Sequence, residues 1–430
     1  MNVKRQSQKA IQVCAHWYGM ADPVVMGVLY ASPSRGKEIF SFKYDSAWLK
    51  SPYASLLDPN LVLFSGPQYP REGHDNFGVF LDSCPDRWGR VLMQRREAQL
   101  AKLEDREIRA LMESDYLLGV YDGHRMGALR FRFADGAPFL DNQQEMATPP
   151  WTKLRDLEYA SSQLELDNAE HDKDYANWLK ILIAPGGSLG GARPKAGVLD
   201  EHGNPWIAKF PSRRDEVNIG RWEYLVAKLA HAAGVQTSNS DIRNFAGAGE
   251  YDTFLSKRFD RTDNGERVHF ASAMTLLGKQ DGDGGENGVS YLNLAEFLIK
   301  NGAQVNSDLE QLWRRIVFYA CVSNTDDHLR NHGFLLRDKG WVLSPAYDMN
   351  PVATGGGLAL NISKDDNSQS LDLIRSVALD FRISSQRAEE IIAEVVDAVR
   401  GWKGLAKQLK LPSREINVVE GAFRLVEGGF

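Results

Sequence analysis

Residues 324–331 read Asn-Thr-Asp-Asp-His-Leu-Arg-Asn, and this polar stretch decides the fold class of the chain. A helical pattern of apolar residues precedes it at 308–322. Two short apolar segments follow it within residues 333–343, and the charged turn between them is typical of a hairpin. The hairpin leads into Ser-Pro-Ala-Tyr-Asp at 344–348. The sequence therefore predicts a helix, a polar loop, a hairpin and a final acidic residue, in that order.

Three polar side chains in this segment have the spacing of a phosphotransfer site. Asp326 and Asn331 are five residues apart in the loop, and the hairpin then delivers Asp348. In protein-kinase-type phosphotransfer, the first Asp orients or deprotonates the acceptor hydroxyl, and the Asn and the second Asp bind Mg²⁺. Any one of these residues alone is more often a cap or turn residue. Three of them at this spacing, with a hairpin between, favour the phosphotransfer interpretation.

A glycine-rich segment lies upstream at residues 186–195 and ends at Lys195. Its four glycines expose backbone N–H groups that can approach phosphate oxygens. It is neither a Walker A loop nor a GxGxxG motif, because the required spacing of residues is absent. Such a loop alone is more often a plain turn, so it supports phosphate binding only together with the 324–348 segment.

Lys209 is the second upstream candidate, because it lies in an apolar strand where an unpaired ammonium is costly. Glu223 lies fourteen residues later on a predicted helix at 218–234, and could pair with it as a strand lysine pairs with a helix glutamate in kinases. Two simpler interpretations stay open. Lys209 could be an edge-strand residue whose amine reaches solvent, and Glu223 could be a solvated charge.

The composition is that of a globular protein, with 430 residues, 43% of them hydrophobic and 25% charged. The net charge of −6 argues against a chain whose main role is to coat nucleic acid or an anionic membrane. The three cysteines, Cys14, Cys84 and Cys321, are too far apart for a metal motif and fit a reducing compartment. Without a secretion signal or a long apolar stretch, the sequence predicts a cytoplasmic protein with no membrane contact.

The order of strand and helix patterns divides the chain into three parts. We predict a β-rich N-terminal subdomain (1–105), a nucleotide-binding N-lobe region (106–265) and a helical catalytic C-lobe (266–430). Within the first part, we expect a helix at 87–103 with Asp86 as its N-cap. The pattern at 32–36 in the same part predicts a hairpin turn, and the pattern at 115–121 in the second part predicts a strand.

The spacing of the candidate residues does not match three other kinds of functional site. Asp281, Asp283 and Glu286 suggest a calcium loop, but no Glu stands at its twelfth position. There is no HExxH zinc motif and no GxSxG nucleophile elbow.

Several of these motifs together make the chain resemble the HipA-type serine/threonine kinases, the toxins of type II toxin–antitoxin modules. The resemblance is carried by the segments 188–195, 208–210, 257–261, 326–331 and 343–348, in the order in which that family has them. It implies an α+β, protein-kinase-like two-lobed fold with a β-rich N-terminal subdomain and a mainly helical C-terminal lobe. One departure is Asp327, which occupies a place that is often glycine and adds a charge beside Asp326.

The resemblance also implies a role for each matching residue. Asp326 would be the catalytic base, and Asn331 and Asp348 would hold Mg²⁺. Ser188 would be autophosphorylated. The implied ATP-binding residues are Gly190, Gly191, Ala192, Arg193, Pro194, Lys195, Lys209, Lys257, Phe259, His328, Asn331, Tyr347 and Asp348.

The implied function is that of an ATP- and Mg²⁺-dependent serine/threonine protein kinase that arrests growth as a toxin. Its protein substrate would be a translation component such as an aminoacyl-tRNA synthetase. Its partner would be a helix-turn-helix antitoxin (HipB-like), through which any DNA contact would mainly pass. Two alternatives stay open: a small-molecule kinase on the same scaffold, and a non-catalytic corepressor partner of a DNA-binding antitoxin.

Overall fold

The computed structural model describes residues 8–133, 137–140, 148–186, 191, 193–245 and 251–427. The chain divides into two compact units, Met1–Ala208 with Asp260–Ala271 and Lys209–Phe259 with Ser272–Phe430. The predicted three-part division stays a prediction. None of the helices that the structure describes is long and apolar enough to cross a membrane.

The described residues form twelve strands and fourteen α-helices. The strands are β1 Lys9–Ala15, β2 Val24–Ser34, β3 Lys37–Tyr44, β4 Pro67–Gln68, β5 Leu129–Arg132, β6 Lys195–Leu199, β7 Pro205–Lys209, β8 Ser240–Arg243, β9 Thr253–Lys257, β10 Phe270–Ser272, β11 Gly333–Arg337 and β12 Gly340–Leu343. The helices are α1 Gly78–Leu81, α2 Arg87–Leu103, α3 Glu113–Leu118, α4 Leu154–Leu164, α5 Tyr175–Gly186, α6 Ile219–Ala232, α7 Ala273–Leu276, α8 Tyr291–Asn301, α9 Val305–Val322, α10 Leu371–Ser376, α11 Ser385–Arg400, α12 Trp402–Gln408, α13 Ser413–Val419 and α14 Arg424–Glu427.

An antiparallel five-stranded sheet in the order β4-β3-β2-β1-β5 forms the N-terminal part of the first unit. Its central hairpin turns at Arg35 and Gly36, both with positive φ (47° and 81°), as a tight hairpin turn requires. The alternate residues Phe40, Phe42 and Tyr44 of β3 are buried, which is the two-residue period of a strand with one face on the core. The predicted hairpin and β-rich start are therefore confirmed.

Within the first unit, helix α2 packs against α5, and α5 packs against β6. The predicted bounds of α2 match the structure. The strand predicted at 115–121 is wrong, because this stretch begins as helix α3. Asp115 accepts a hydrogen bond from the backbone N–H of Met112 (2.9 Å) and so caps the start of that helix.

Helix α9 runs through the core of the second unit, and every residue from Leu312 to Val322 is buried. A helix that is apolar nearly all round is stable only inside a core. Helices α8 and α11 pack against α9, and the hairpin of β11 and β12 follows it. The predicted helix, loop and hairpin are all present.

Candidate functional site

The loop that follows α9 is fixed by its own backbone. Ser323 ends the helix in the left-handed region (φ 48°), and the N–H of Asn324 donates to the carbonyl of Tyr319 (2.9 Å). The Asn324 side chain then accepts from the N–H of Asn350 (2.9 Å), and the carbonyl of Ser323 accepts from the N–H of Val352 (3.0 Å). The start of the polar loop, at residues 323 and 324, is therefore tied to residues 350 and 352, which follow the 344–348 segment.

Lys209, Glu223 and Asp348 meet in the second unit. The Lys209 Nζ lies 2.6 Å from Glu223 Oε1 and 2.5 Å from Asp348 Oδ1. Lys209 ends β7, Glu223 is a buried residue of α6, and Asp348 follows β12 with a positive φ of 57°. Asp tolerates this left-handed conformation better than most residues. The predicted pairing of Lys209 with Glu223 is present in the structure, and the ammonium is not an edge-strand amine in solvent.

The electrostatics of this trio keep the lysine charged. Burial alone would lower the pKa of Lys209, but the negative charges of Asp348 and Glu223 outweigh it and hold the pKa above its ordinary value. Two carboxylates around one ammonium leave the trio with one excess negative charge. A site of this kind attracts a further cation, provided that an oxygen remains within reach.

Asp326 and Asn331 occupy the two ends of the 326–331 segment. The side chain of Asp326 is 77% exposed and therefore open to a reactant, and His328 Nε2 lies 3.8 Å from its Oδ1. The Asn331 side-chain N–H donates to the backbone carbonyl of Asp326 (2.8 Å). This bond orients the amide and leaves its oxygen, the atom that a hard cation would bind, with no hydrogen-bond partner in the described part of the chain.

Asp327, beside Asp326, is fully buried. Its carboxylate accepts hydrogen bonds from the hydroxyl of Tyr291 and from the N–H of Ala359 (2.6 Å). Burial raises the pKa of Asp327 to about 6. In the sequence, Asp327 stands out only as an added charge beside Asp326, and no motif points to Tyr291. The one available signal was an acidic residue at a place that is often glycine.

Tyr347, in the segment after the hairpin, pairs its ring with that of Phe259. The rings of Phe259 and Tyr347 lie 5.5 Å apart, and the Tyr347 hydroxyl donates to the carbonyl of Arg330 (2.6 Å). Lys257 ends β9, and its N–H donates to the carbonyl of Asn239 (2.8 Å). The second unit thus holds Lys257, Phe259, His328 and Tyr347, and their ATP-binding roles stay predictions.

The structure describes the glycine-rich segment at Gly186, the last residue of α5, and at 191 and 193–195, all in the first unit. Gly191 has a φ of 93°, and its N–H donates to the carboxylate of Asp86. The indole N–H of Trp88 donates to the carbonyl of Lys195 (3.1 Å). Asp86 does precede α2 as predicted, but its side chain makes no capping bond there. Arg193 is half-buried and Pro194 is buried.

Three predicted site residues of the same segment, Ser188, Gly190 and Ala192, lie outside the described residues. Their predicted roles, like those of Gly191, Arg193, Pro194 and Lys195, stay predictions.

The two predicted Mg²⁺ ligands, Asn331 and Asp348, both lie in the second unit and offer side-chain oxygen atoms. Within the part of the chain that the structure describes, no group of three or more His, Cys, Asp or Glu side chains could hold a metal ion. Mg²⁺ commonly takes only one or two protein oxygens and completes its shell with phosphate and water. Asn331, with its oriented amide oxygen, and Asp348 fit that requirement.

Fold and site together define an α+β protein with a β-rich N-terminal part, a mainly helical C-terminal part and a Lys–Glu–Asp cluster beside a polar loop. The model of the HipA-like C-terminal domain family matches residues 187–402, just over half of the chain, and the chain belongs to this family.

Relatives and solved structures agree with this membership. A Haemophilus influenzae protein named "Putative kinase" is 27% identical over 39% of this chain, and the Sinorhizobium fredii protein "Putative kinase Y4dM" is 25% identical over 51%. The matches span just over half the length of these relatives, 53% and 56%. The fold matches a chain of the Shewanella oneidensis MR-1 toxin–antitoxin complex of HipA, HipB and operator DNA. That match has a TM-score of 0.66 at 18% identity and covers 97% of this chain and 95% of the other. The predicted α+β fold of the HipA type is confirmed.

Proposed function

We propose that the chain is an ATP-dependent serine/threonine protein kinase. The observation that carries this proposal is the Lys209 ammonium, held between Glu223 (2.6 Å) and Asp348 (2.5 Å). In protein kinases, a strand lysine paired with a helix glutamate contacts the nucleotide phosphates, and an aspartate after a hairpin holds Mg²⁺. The names of the two relatives point to the same class of reaction.

The roles within the site follow from exposure and chemistry. Asp326 is exposed and carries a carboxylate, so it can orient the acceptor hydroxyl and take its proton. Lys209 would bind phosphate oxygens. Asn331 and Asp348 would hold Mg²⁺, which neutralises phosphate charge when bound. Lys257, Phe259, His328 and Tyr347 would line the nucleotide site.

The biological role that we propose is that of a growth-arresting toxin. Its substrate would be a translation component such as an aminoacyl-tRNA synthetase, and its partner a HipB-like helix-turn-helix antitoxin. We also propose autophosphorylation of Ser188. A phosphate of about −2 charge would reorder a glycine-rich loop and switch the kinase off.

Incubation of the purified chain with radiolabelled ATP and Mg²⁺ tests the activity. We expect label on protein, its loss in Asp326→Asn with the circular dichroism spectrum unchanged, and loss of the autophosphorylation signal in Ser188→Ala. Expression of Asp326→Asn should be harmless to cells in which the wild type arrests growth. An Asp326→Asn variant that labels protein as fast as the wild type would remove Asp326 from the role of base.

The alternatives give different results in the same assay. A small-molecule kinase consumes ATP only with a small acceptor and never labels protein. A non-catalytic corepressor labels nothing, and Asp348→Ala would leave its function intact.

A further inference from the structure

The two acidic residues of the 324–331 loop have opposite surroundings. The side chain of Asp326 is 77% exposed, whereas Asp327 is fully buried. A buried carboxylate is costly unless donors satisfy it. An enzyme that only needed a short turn here would carry a small residue, so the buried charge calls for a reason of its own.

The donors come from two different segments of the second unit. The hydroxyl of Tyr291, the first residue of α8, donates to Asp327 Oδ2, and the N–H of Ala359 donates to Oδ1 (2.6 Å). The backbone carbonyl of Asp327 also lies 3.2 Å from His332 Nε2. Burial lowers the pKa of His332 to about 3, so this ring is neutral and can donate through that nitrogen. Asp327 is thus held through both its side chain and its backbone.

The two donor segments are themselves joined. The N–H of Gly285 donates to the carbonyl of Ala359 (2.8 Å), and the N–H of Tyr291 donates to the carbonyl of Asn361 (2.9 Å). The N–H of Asn361 returns a bond to Val289 (3.0 Å). The glycine-rich stretch at 281–288 therefore forms one support with residues 359–361.

We propose that Asp327 is a positioning residue for Asp326, and that it acts by fixing the loop to Tyr291 and to the backbone of Ala359. The inference rests on the proposed kinase function and adds a residue to it. Asp326 is exposed, and no buried group among the described residues donates to its carboxylate. The direction of that carboxylate therefore depends on the backbone that Asp327 anchors. Charge-assisted hydrogen bonds in a buried site are strong enough to hold that backbone.

The first test compares substitutions at Asp327 and Tyr291. Asp327→Ala removes both acceptor oxygens, and we expect kcat to fall about 10- to 100-fold, the effect of misplacing a reacting group by about 1 Å. The Kd for ATP and the number of ATP sites per chain stay unchanged. Asp327→Asn retains most of the activity, because the amide can accept from Ala359 and donate to Tyr291, whose hydroxyl also accepts. Tyr291→Phe gives an intermediate loss.

Tyr319→Phe is the matched control. Tyr319 is buried in the same cluster, with its ring 6.0 Å from His332, and its hydroxyl makes no hydrogen bond within the described residues. Removal of the Tyr319 hydroxyl should therefore leave kcat unchanged. A fall in kcat equal to that of Tyr291→Phe would overturn the proposal, because it would show a general sensitivity of the core.

The second test asks whether Asp327 acts through Asp326. The residual rate of phosphate transfer in Asp326→Asn, followed in single-turnover reactions with enzyme in excess, should not fall further when Asp327→Ala is added. The same fold-loss in both backgrounds would overturn the positioning role.

Amide hydrogen exchange separates this inference from the proposed function, because it needs no activity. Peptides covering 324–332 should exchange faster in Asp327→Ala than in the wild type or in Tyr319→Phe. If the 324–332 peptides of Asp327→Ala exchange as slowly as those of the wild type, the proposal that Asp327 anchors the loop is overturned. If the wild type transferred no phosphate, the kinase proposal would fail, and faster exchange would still support Asp327 as the residue that holds the loop.

Discussion

Lys209 is the residue whose ammonium group contacts both Glu223 and Asp348 in the second unit. Its contribution to the free energy of unfolding can be measured. Its partner Glu223 is only 4% exposed at the side chain, so Lys209→Met would leave a buried carboxylate without that ammonium. Removing one member of a buried pair costs about 3 to 5 kcal/mol. We therefore expect the free energy of unfolding in urea to fall by about this amount.

The double variant Lys209→Met/Glu223→Gln is the control for that prediction. With the charge of Glu223 removed as well, the loss should be clearly smaller than in Lys209→Met alone. Additive losses in the two single variants would show that the pair is not energetically coupled.

Asp327 gives a pH dependence with a defined sign. Burial raises its pKa to about 6, so the folded chain holds a proton there that the unfolded chain releases from about pH 4 upward. The stability of the wild type should therefore fall relative to Asp327→Asn as the pH rises from about 4 to about 7, by roughly 2 to 3 kcal/mol. Urea unfolding at both pH values measures it.

Two neighbours of Asp327 do not disturb this comparison. His332, with a pKa of about 3, and Tyr291, with a pKa well above its ordinary value, keep one protonation state in that window. Asp308, whose pKa burial raises to about 6, is present in both proteins and cancels. A pH-independent difference between wild type and variant would contradict the prediction.

Helix α6 packs closely against the backbone at Asp252 because Gly220 has no side chain. A Cβ at this position would overlap the backbone oxygen of Asp252. Gly220→Ala should push away the helix that carries Glu223, lower stability by about 1 to 3 kcal/mol and reduce activity. The matched control is Gly404→Ala in α12, where a Cβ meets no atom within 4 Å. That change should stabilise the chain by up to about 1 kcal/mol, because alanine favours helix. Thermal unfolding of both variants decides the prediction, and equal effects would contradict it.

The start of α2 restrains the end of the glycine-rich segment within the first unit. The indole N–H of the buried Trp88 donates to the carbonyl of Lys195 (3.1 Å). Trp88→Phe removes this donor, at a cost of about 1 kcal/mol, and should speed amide exchange in peptides covering 193–199. Arg87→Ala, at the exposed neighbouring position, is the control and should leave that exchange unchanged. Equal exchange rates in Trp88→Phe and the wild type would count against the restraint.

At the scale of the whole molecule, the sequence predicted what depends on neighbours along the chain. Helix α9, the loop and the hairpin of β11 and β12 follow from local patterns. A kinase-like order of polar residues also predicts site roles for Asp326, Asn331 and Asp348, and these roles stay predictions. Contacts between distant residues were beyond those patterns. Asp86 looks like a helix cap in sequence, but its carboxylate accepts from Gly191, 105 positions away.

Asp327 shows the same limit within the site. Its donors, Tyr291 and Ala359, stand 36 and 32 positions away, and no spacing rule links them. The strand prediction at 115–121 was wrong for a different reason. Its apolar residues suit a strand, but Asp115 caps a helix start, so a local bond overrode the apolar pattern.

The net charge of the whole chain leads to a last prediction, about DNA. The chain carries 57 acidic against 51 basic residues, so it has no overall attraction to a phosphate backbone. Nonspecific binding by proteins with a basic surface typically has a Kd of about 10⁻⁴ to 10⁻⁶ M at physiological salt. We expect the purified chain alone to bind a fluorescein-labelled duplex of random sequence with a Kd above about 10⁻⁴ M at about 0.15 M salt, as measured by anisotropy.

Adding a helix-turn-helix protein encoded beside it should produce tight binding to the DNA upstream of the pair, if DNA contact passes through such a partner. Micromolar binding by the chain alone, weakening steeply with salt, would instead place a basic DNA-binding surface on this chain despite its net charge.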